Sequence, residues 1–163
     1  MRKCVLLLLI SLTFTGCATE DTFETVADDM IQSVAAPKAE ILLELPEEAA
    51  APVAQGDSGT LYQCDGYEIA LQTFDSGDLD ATLRSSTGYS REGLTVIETR
   101  QGKIKRYDLV WSCLGEQGEQ VGRACVLDDG NYHYVLSVMG TAENAWENYP
   151  VWLSMFHSFA VVG

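Results

Sequence analysis

Residues 105–139, KRYDLVWSCLGEQGEQVGRACVLDDGNYHYVLSVM, decide the fold. From Lys105 to Leu114 the pattern alternates, with Tyr107, Leu109, Trp111 and Cys113 on one side and Arg106, Asp108 and Ser112 on the other. A period of two sends successive side chains to opposite faces, so this segment is a half-buried strand. GEQGEQ turns the chain into a second strand, Val121 to Leu127. Asp129-Gly130 is a strong hairpin dipeptide, and Tyr132 to Met139 follows it as a third strand. Turns this short join only antiparallel neighbours.

Upstream, Leu94 to Thr99 enters through Gln101-Gly102 and completes a four-stranded meander. Tyr67 to Phe74 is a further strand, with Tyr67, Ile69 and Leu71 on its apolar side. Between these, Leu79 to Ser86 reads as a two-turn helix, preceded by Ser76-Gly77-Asp78 and stopped by Gly88. Downstream, Thr141 is an N-cap for a closing helix, with Glu143 in its first turn. Pro150 breaks that helix near Asn148 and restarts it from the first position. Trp152, Phe156 and Phe159, with Met155 beside them, form the stripe expected to cover the sheet. The expected fold class is α+β: a twisted antiparallel sheet with a short early helix and a larger C-terminal helix packed on it.

The whole chain has 163 residues, 47% of them apolar, with 10 basic and 24 acidic side chains and a net charge of −14. That length suits one domain with a tail. Such acidity repels a phosphate backbone and excludes nucleic-acid binding. A mean hydropathy of +0.01 excludes a polytopic membrane protein and wholesale disorder.

The N-terminus carries an address. Met1-Arg2-Lys3 is a basic start, and Val5 to Leu12 is an apolar run interrupted only by Ser11. The run is shorter than the roughly 20 residues a membrane-spanning helix needs, so residues 1–16 read as an export signal. Residues 17–58 hold ten acids and one base, Lys38, and are rich in Ala, Glu and Pro, as in Glu47-Glu48-Ala49-Ala50-Ala51-Pro52. This composition describes an extended, self-repelling tether. Ala39 to Pro46 (AEILLELP) departs from it, and two readings stay open: exposed tether, or a short strand docked on the domain at 59–163.

Phe14-Thr15-Gly16-Cys17 resembles the bacterial lipobox. The resemblance implies that Cys17 is lipidated and becomes the mature N-terminus, anchoring an exported protein to the cell membrane or outer membrane. Such a site lies outside the cytoplasm and permits disulfides. Two family resemblances concern the domain. The order of strand, short helix, meander and long helix ending in Phe156, Ser158 and Phe159 resembles the PsbP/Mog1-like domains, over residues 60–163. It implies a non-enzymatic binding or assembly module. Tyr62-Gln63-Cys64-Asp65-Gly66 resembles the opening of the membrane-bound lysozyme inhibitors, which are also small lipoproteins.

Chemistry is sparse. His133 sits in a strand and His157 in the last helix, neither with a ligand at metal spacing, so no metal site and no cofactor are expected. Asp128-Asp129-Gly130-Asn131 lacks the ligand order of a calcium loop and reads as a hairpin turn. No nucleophile elbow is present, and no catalytic residue is assigned. Tyr107, Trp111, Tyr132, Tyr134, Trp146, Tyr149 and Trp152 have the strand and helix spacing of core aromatics. A ligand groove is the other reading. Of Cys64, Cys113 and Cys125, the last two face one another if the hairpin centres on Glu119. A disulfide between them and two buried free thiols both stay open. The function expected is a lipid-anchored cell-surface module that binds an envelope protein or small ligand without catalysis, with a lysozyme-inhibitor-like lipoprotein as the alternative.

Overall fold

The computed structural model describes residues 35–115 and 118–162. The signal segment 1–16, Cys17 and the tether to residue 34 lie outside the described residues. From Ala36 onward the chain is one compact unit.

Among the described residues nine strands and three α-helices follow in order: β1 (Glu40–Leu42), β2 (Ala54–Gly56), β3 (Gly59–Cys64), β4 (Tyr67–Asp75), α1 (Leu79–Thr87), β5 (Thr95–Gln101), β6 (Ile104–Gly115), β7 (Gly118–Asp128), β8 (Tyr132–Thr141), α2 (Ala142–Glu147), α3 (Tyr149–Ser158) and β9 (Ala160–Val162). The fold is α+β. A seven-stranded sheet runs β2-β3-β4-β8-β7-β6-β5, antiparallel throughout, and β1 pairs with β9 in a small second sheet. The expected meander is the run β5 to β8, and β4 closes against β8 with Tyr67 opposite Gly140.

Both faces of the sheet are covered. On one face Phe156, Phe159, Met155 and Trp152 pack on Ile69, Tyr134, Leu136 and Val138. On the other, Leu83 of α1 packs on Val135, Val126 and Ala124, with Tyr107, Leu109 and Trp111. The central strands therefore carry nearly continuous apolar runs, such as Ala124-Cys125-Val126-Leu127, and β8 is buried along most of its length. At Gly122 the Trp111 ring lies where a side chain would start, so a Cβ there would overlap the ring.

Local signals set the helix ends. Asp78 caps α1 by accepting from the Ala81 N–H at 3.1 Å, and Gly88 closes it with a φ of 81°. Thr141 caps α2 through its hydroxyl. The break falls at Asn148, and α3 begins at Tyr149, with Pro150 one place later than the sequence suggested.

Two expectations are corrected. The tether does not extend to residue 58, because residues 36–58 belong to the compact unit. Ala39, Ile41, Leu43 and Leu45 alternate inward onto the core while Glu40 and Glu44 point out, and Ala49 is buried. Hydrogen bonds fasten the segment: the Tyr132 hydroxyl donates to the Ala36 carbonyl at 2.6 Å, and the Ala39 N–H donates to the Tyr134 hydroxyl at 2.7 Å. The β6–β7 hairpin also does not centre on Glu119. Gly115 pairs with Gly118, which places Cys113 opposite Gln120 and Cys125 opposite Asp108. Gln120 and Cys125 are an odd number of residues apart, so the two thiols point to opposite faces of the sheet. A Cys113–Cys125 disulfide is incompatible with that register; both cysteines, and Cys64, are free.

Candidate ligand groove

The covering helices leave part of the sheet bare. Trp152 stacks near Tyr67 of β4, with ring centroids 5.8 Å apart, and Phe156 lies against Arg123 of β7, so α3 follows the middle of the sheet. Across the strands, Thr95, Val110 and Arg123 stand in one register row and Ile97, Asp108 and Cys125 in the next. On the β5 and β6 side nothing covers these rows among the described residues, and Ile97 and Val110 are 61% and 53% exposed. The facing wall comes from the α2–α3 corner, where the backbone turn at Asn148 pushes Trp146 and Tyr149 outward, 84% and 51% exposed. Together these residues bound an open groove of about 520 Å³. Trp152 and Ala145 form its inner wall.

Two charged side chains, Asp108 and Arg123, line the otherwise mainly apolar groove. Asp108 accepts two bonds from Arg106, at 2.8 Å from Nε and 3.0 Å from Nη2. The same guanidinium donates to the carbonyls of Phe156, at 2.9 Å, and Phe159, at 3.3 Å, and so fastens the C-terminal end of α3 to β6. Arg123 differs. Its guanidinium carbon lies 4.5 Å from the centre of the Phe156 ring, and it forms no ion pair with any described residue.

The aromatic residues divide accordingly. Tyr107, Trp111, Tyr132, Tyr134 and Trp152 are core, as the spacing indicated, whereas Trp146 and Tyr149 are groove walls. Sequence reasoning did not anticipate Arg106, Asp108 or Arg123. The i, i+2 spacing of Arg106 and Asp108 on β6 reads in sequence as a solvated polar face, and Arg123 is a lone cation on β7.

The other titratable residues are placed structurally. His133 is buried under α1, its Nδ1 2.8 Å from Thr82 Oγ1 and its Nε2 4.0 Å from Asp128 Oδ2. Burial holds its pKa below the usual 6.5, with Asp128 pulling the other way. Burial alone would raise Asp128. The Gly130 N–H at 2.8 Å, His133 and Lys105 outweigh that and hold its carboxyl below the ordinary range. Thr82, His133 and Asp128 line none of the clefts described and stitch α1 to the β7–β8 hairpin. Burial pushes the Cys125 thiol up to about 12 and raises Cys64 as well, so neither is a ready nucleophile. Cys64 ends β3 in the Tyr62–Gly66 stretch, which forms the tight β3–β4 turn with Gly66 at a φ of 82°. His157 is exposed on α3. Among the described residues no group of three His, Cys, Asp or Glu side chains converges to hold a metal ion. No helix of the described residues is long and apolar enough to cross a membrane.

No family model matches the chain, and no curated protein matches it. Among solved structures it is similar to a protein of unknown function from Pseudomonas aeruginosa, with 13% sequence identity and a TM-score of 0.48, over 79% of this chain and 88% of that one.

Proposed function

We propose that the chain is an exported, lipid-anchored module with a PsbP/Mog1-like fold that binds an apolar ligand or partner surface at the cell envelope and does no catalysis. The groove between β5–β6 and the α2–α3 corner carries this reading. It keeps four large apolar side chains in water, Ile97, Val110, Trp146 and Tyr149, around one concavity. Leaving such a patch uncovered is costly for a small domain unless something binds there. Its volume lies within the roughly 300–1,000 Å³ range of small-molecule sites. The anchor rests on the basic start, the short apolar run and Thr15-Gly16-Cys17.

Titration with the neutral fluorophore N-phenyl-1-naphthylamine tests the groove. Saturable enhancement is expected, and Val110→Glu, at an exposed position, should abolish it. Enhancement unaffected by Val110→Glu would place the binding elsewhere and refute the reading.

A further inference from the structure

We infer that the groove's ligand is an amphipathic anion, an apolar chain ending in a carboxylate, with the acid group seated on Arg123. This rests on the groove being a binding site and adds the chemistry of its occupant. The unit from Ala36 has 19 acids against eight bases, so a cation at the base of this apolar groove runs against the charge of the whole surface. Of the two ionised residues lining the groove, Asp108 is already neutralised. Both its oxygens accept from Arg106, which spends its remaining reach on the α3 carbonyls. Arg123 is left as the unmatched charge of the lining. Its position is held by stacking over Phe156 rather than by a carboxylate, so its N–H fork is free to donate. A planar guanidinium binds a carboxylate through two parallel N–H bonds, a geometry no neutral headgroup can match.

One lining residue also carries an unsatisfied donor. The Trp152 indole Nε1 is buried without an acceptor among the described residues, and Trp152 forms the groove's inner wall. Glu143 and Glu147 of α2 are not part of the lining, so among the described residues Asp108, already neutralised, is the carboxylate the anion meets there. The apolar chain would then run outward between Val110 and Ile97 on one side and Trp146 and Tyr149 on the other.

The test is displacement of bound N-phenyl-1-naphthylamine from the full chain by decanoate and by 1-decanol, at a pH where the acid is ionised. Decanoate should displace the probe at roughly tenfold lower concentration than the alcohol, as expected of a charge-assisted pair in a partly dry site. Arg123→Gln should bring the two ligands to parity, each displacement being read relative to the variant's own probe affinity. Arg123→Lys should keep a reduced preference, which separates loss of charge from loss of packing on Phe156. Equal displacement by acid and alcohol in the unsubstituted protein would overturn the anion assignment and leave the groove standing. Probe binding that Val110→Glu leaves intact would overturn both.

Discussion

Replacing Arg106 is the sharpest probe of how the closing helix is held. Its guanidinium makes four contacts, two with Asp108 and one each with the Phe156 and Phe159 carbonyls, all between 2.8 and 3.3 Å. Arg106→Met keeps much of the aliphatic stem and removes the fork. The two carbonyls at the end of α3 lose their donor, and Asp108 is stranded beside buried Cys125. A hydrogen bond to a charged group is worth about 1.5–3 kcal/mol net. The Arg106 and Asp108 side chains are each 25% exposed, so water can replace part of what is lost. We therefore expect a loss of about 2–3 kcal/mol, which for a unit of this size lowers Tm by roughly 6–12 °C. Asp108→Asn is the control. It leaves both carbonyl bonds in place and should cost less than half as much. The readouts are thermal unfolding by far-UV circular dichroism and amide exchange over residues 149–162, which should lose protection selectively in Arg106→Met. A stability within about 0.5 kcal/mol of the unsubstituted protein would refute the fastening argument, since surface changes without a structural role stay in that range. Equal damage from Asp108→Asn would show that the ion pair, not the helix end, is what Arg106 serves.

Phe156 is fully buried beneath α3, so Phe156→Ala should cost about 3–5 kcal/mol in chemical denaturation, while His157→Ala, exposed next to it, should change stability by less than about 0.5 kcal/mol. His133 has a folded pKa below its unfolded 6.5, so the unfolded chain takes up its proton first: the stability is fully present above pH 6.5 and declines as pH falls below it. Melting temperature should fall with that slope, and His133→Asn should flatten it. Asp128 contributes a second loss only at lower pH, below its unfolded value of 3.8. Under native conditions a maleimide should label partly exposed Cys113 and spare buried Cys125 and Cys64; rapid labelling of Cys125 would contradict its placement inside the sheet.

The parts of this fold legible in the sequence are those where one local rule acts alone. Alternation on Lys105 to Leu114, the Asp129-Gly130 dipeptide, the Asp78 and Thr141 caps and the proline at 150 each mark an element with little help from its surroundings. The hairpin between β6 and β7 was harder, because GEQGEQ offers two glycines as turning points and the choice between them shifts every cross-strand pair. It is Gly115 and Gly118 that face each other. Arg106 and Asp108 looked solvated because alternation says which residues share a face, not whether a helix from fifty residues later will cover it. The groove was invisible for a related reason. Trp146 and Tyr149 differ from Trp152 only in lying at a backbone corner, and nothing local distinguishes a wall aromatic from a core one. Docking of Ala39 to Pro46 needed its partner β9, which is only three residues long.

That short pairing has a consequence for how the chain is made. Glu40 sits against Val162 and Leu42 against Ala160, so the first strand of the compact unit waits for the last. During synthesis in N-to-C order, β1 has no strand partner until Ala160–Val162 emerge. Closing so long a loop comes late and gains little from a three-residue pair, so the sheet and α3 must already be in place to present β9. A chain stopped a few residues early would keep its sheet yet leave Ile41, Leu43 and Leu45 without their edge strand. Docking of β1 is thus a late step, one that the assembled sheet and α3 have to precede.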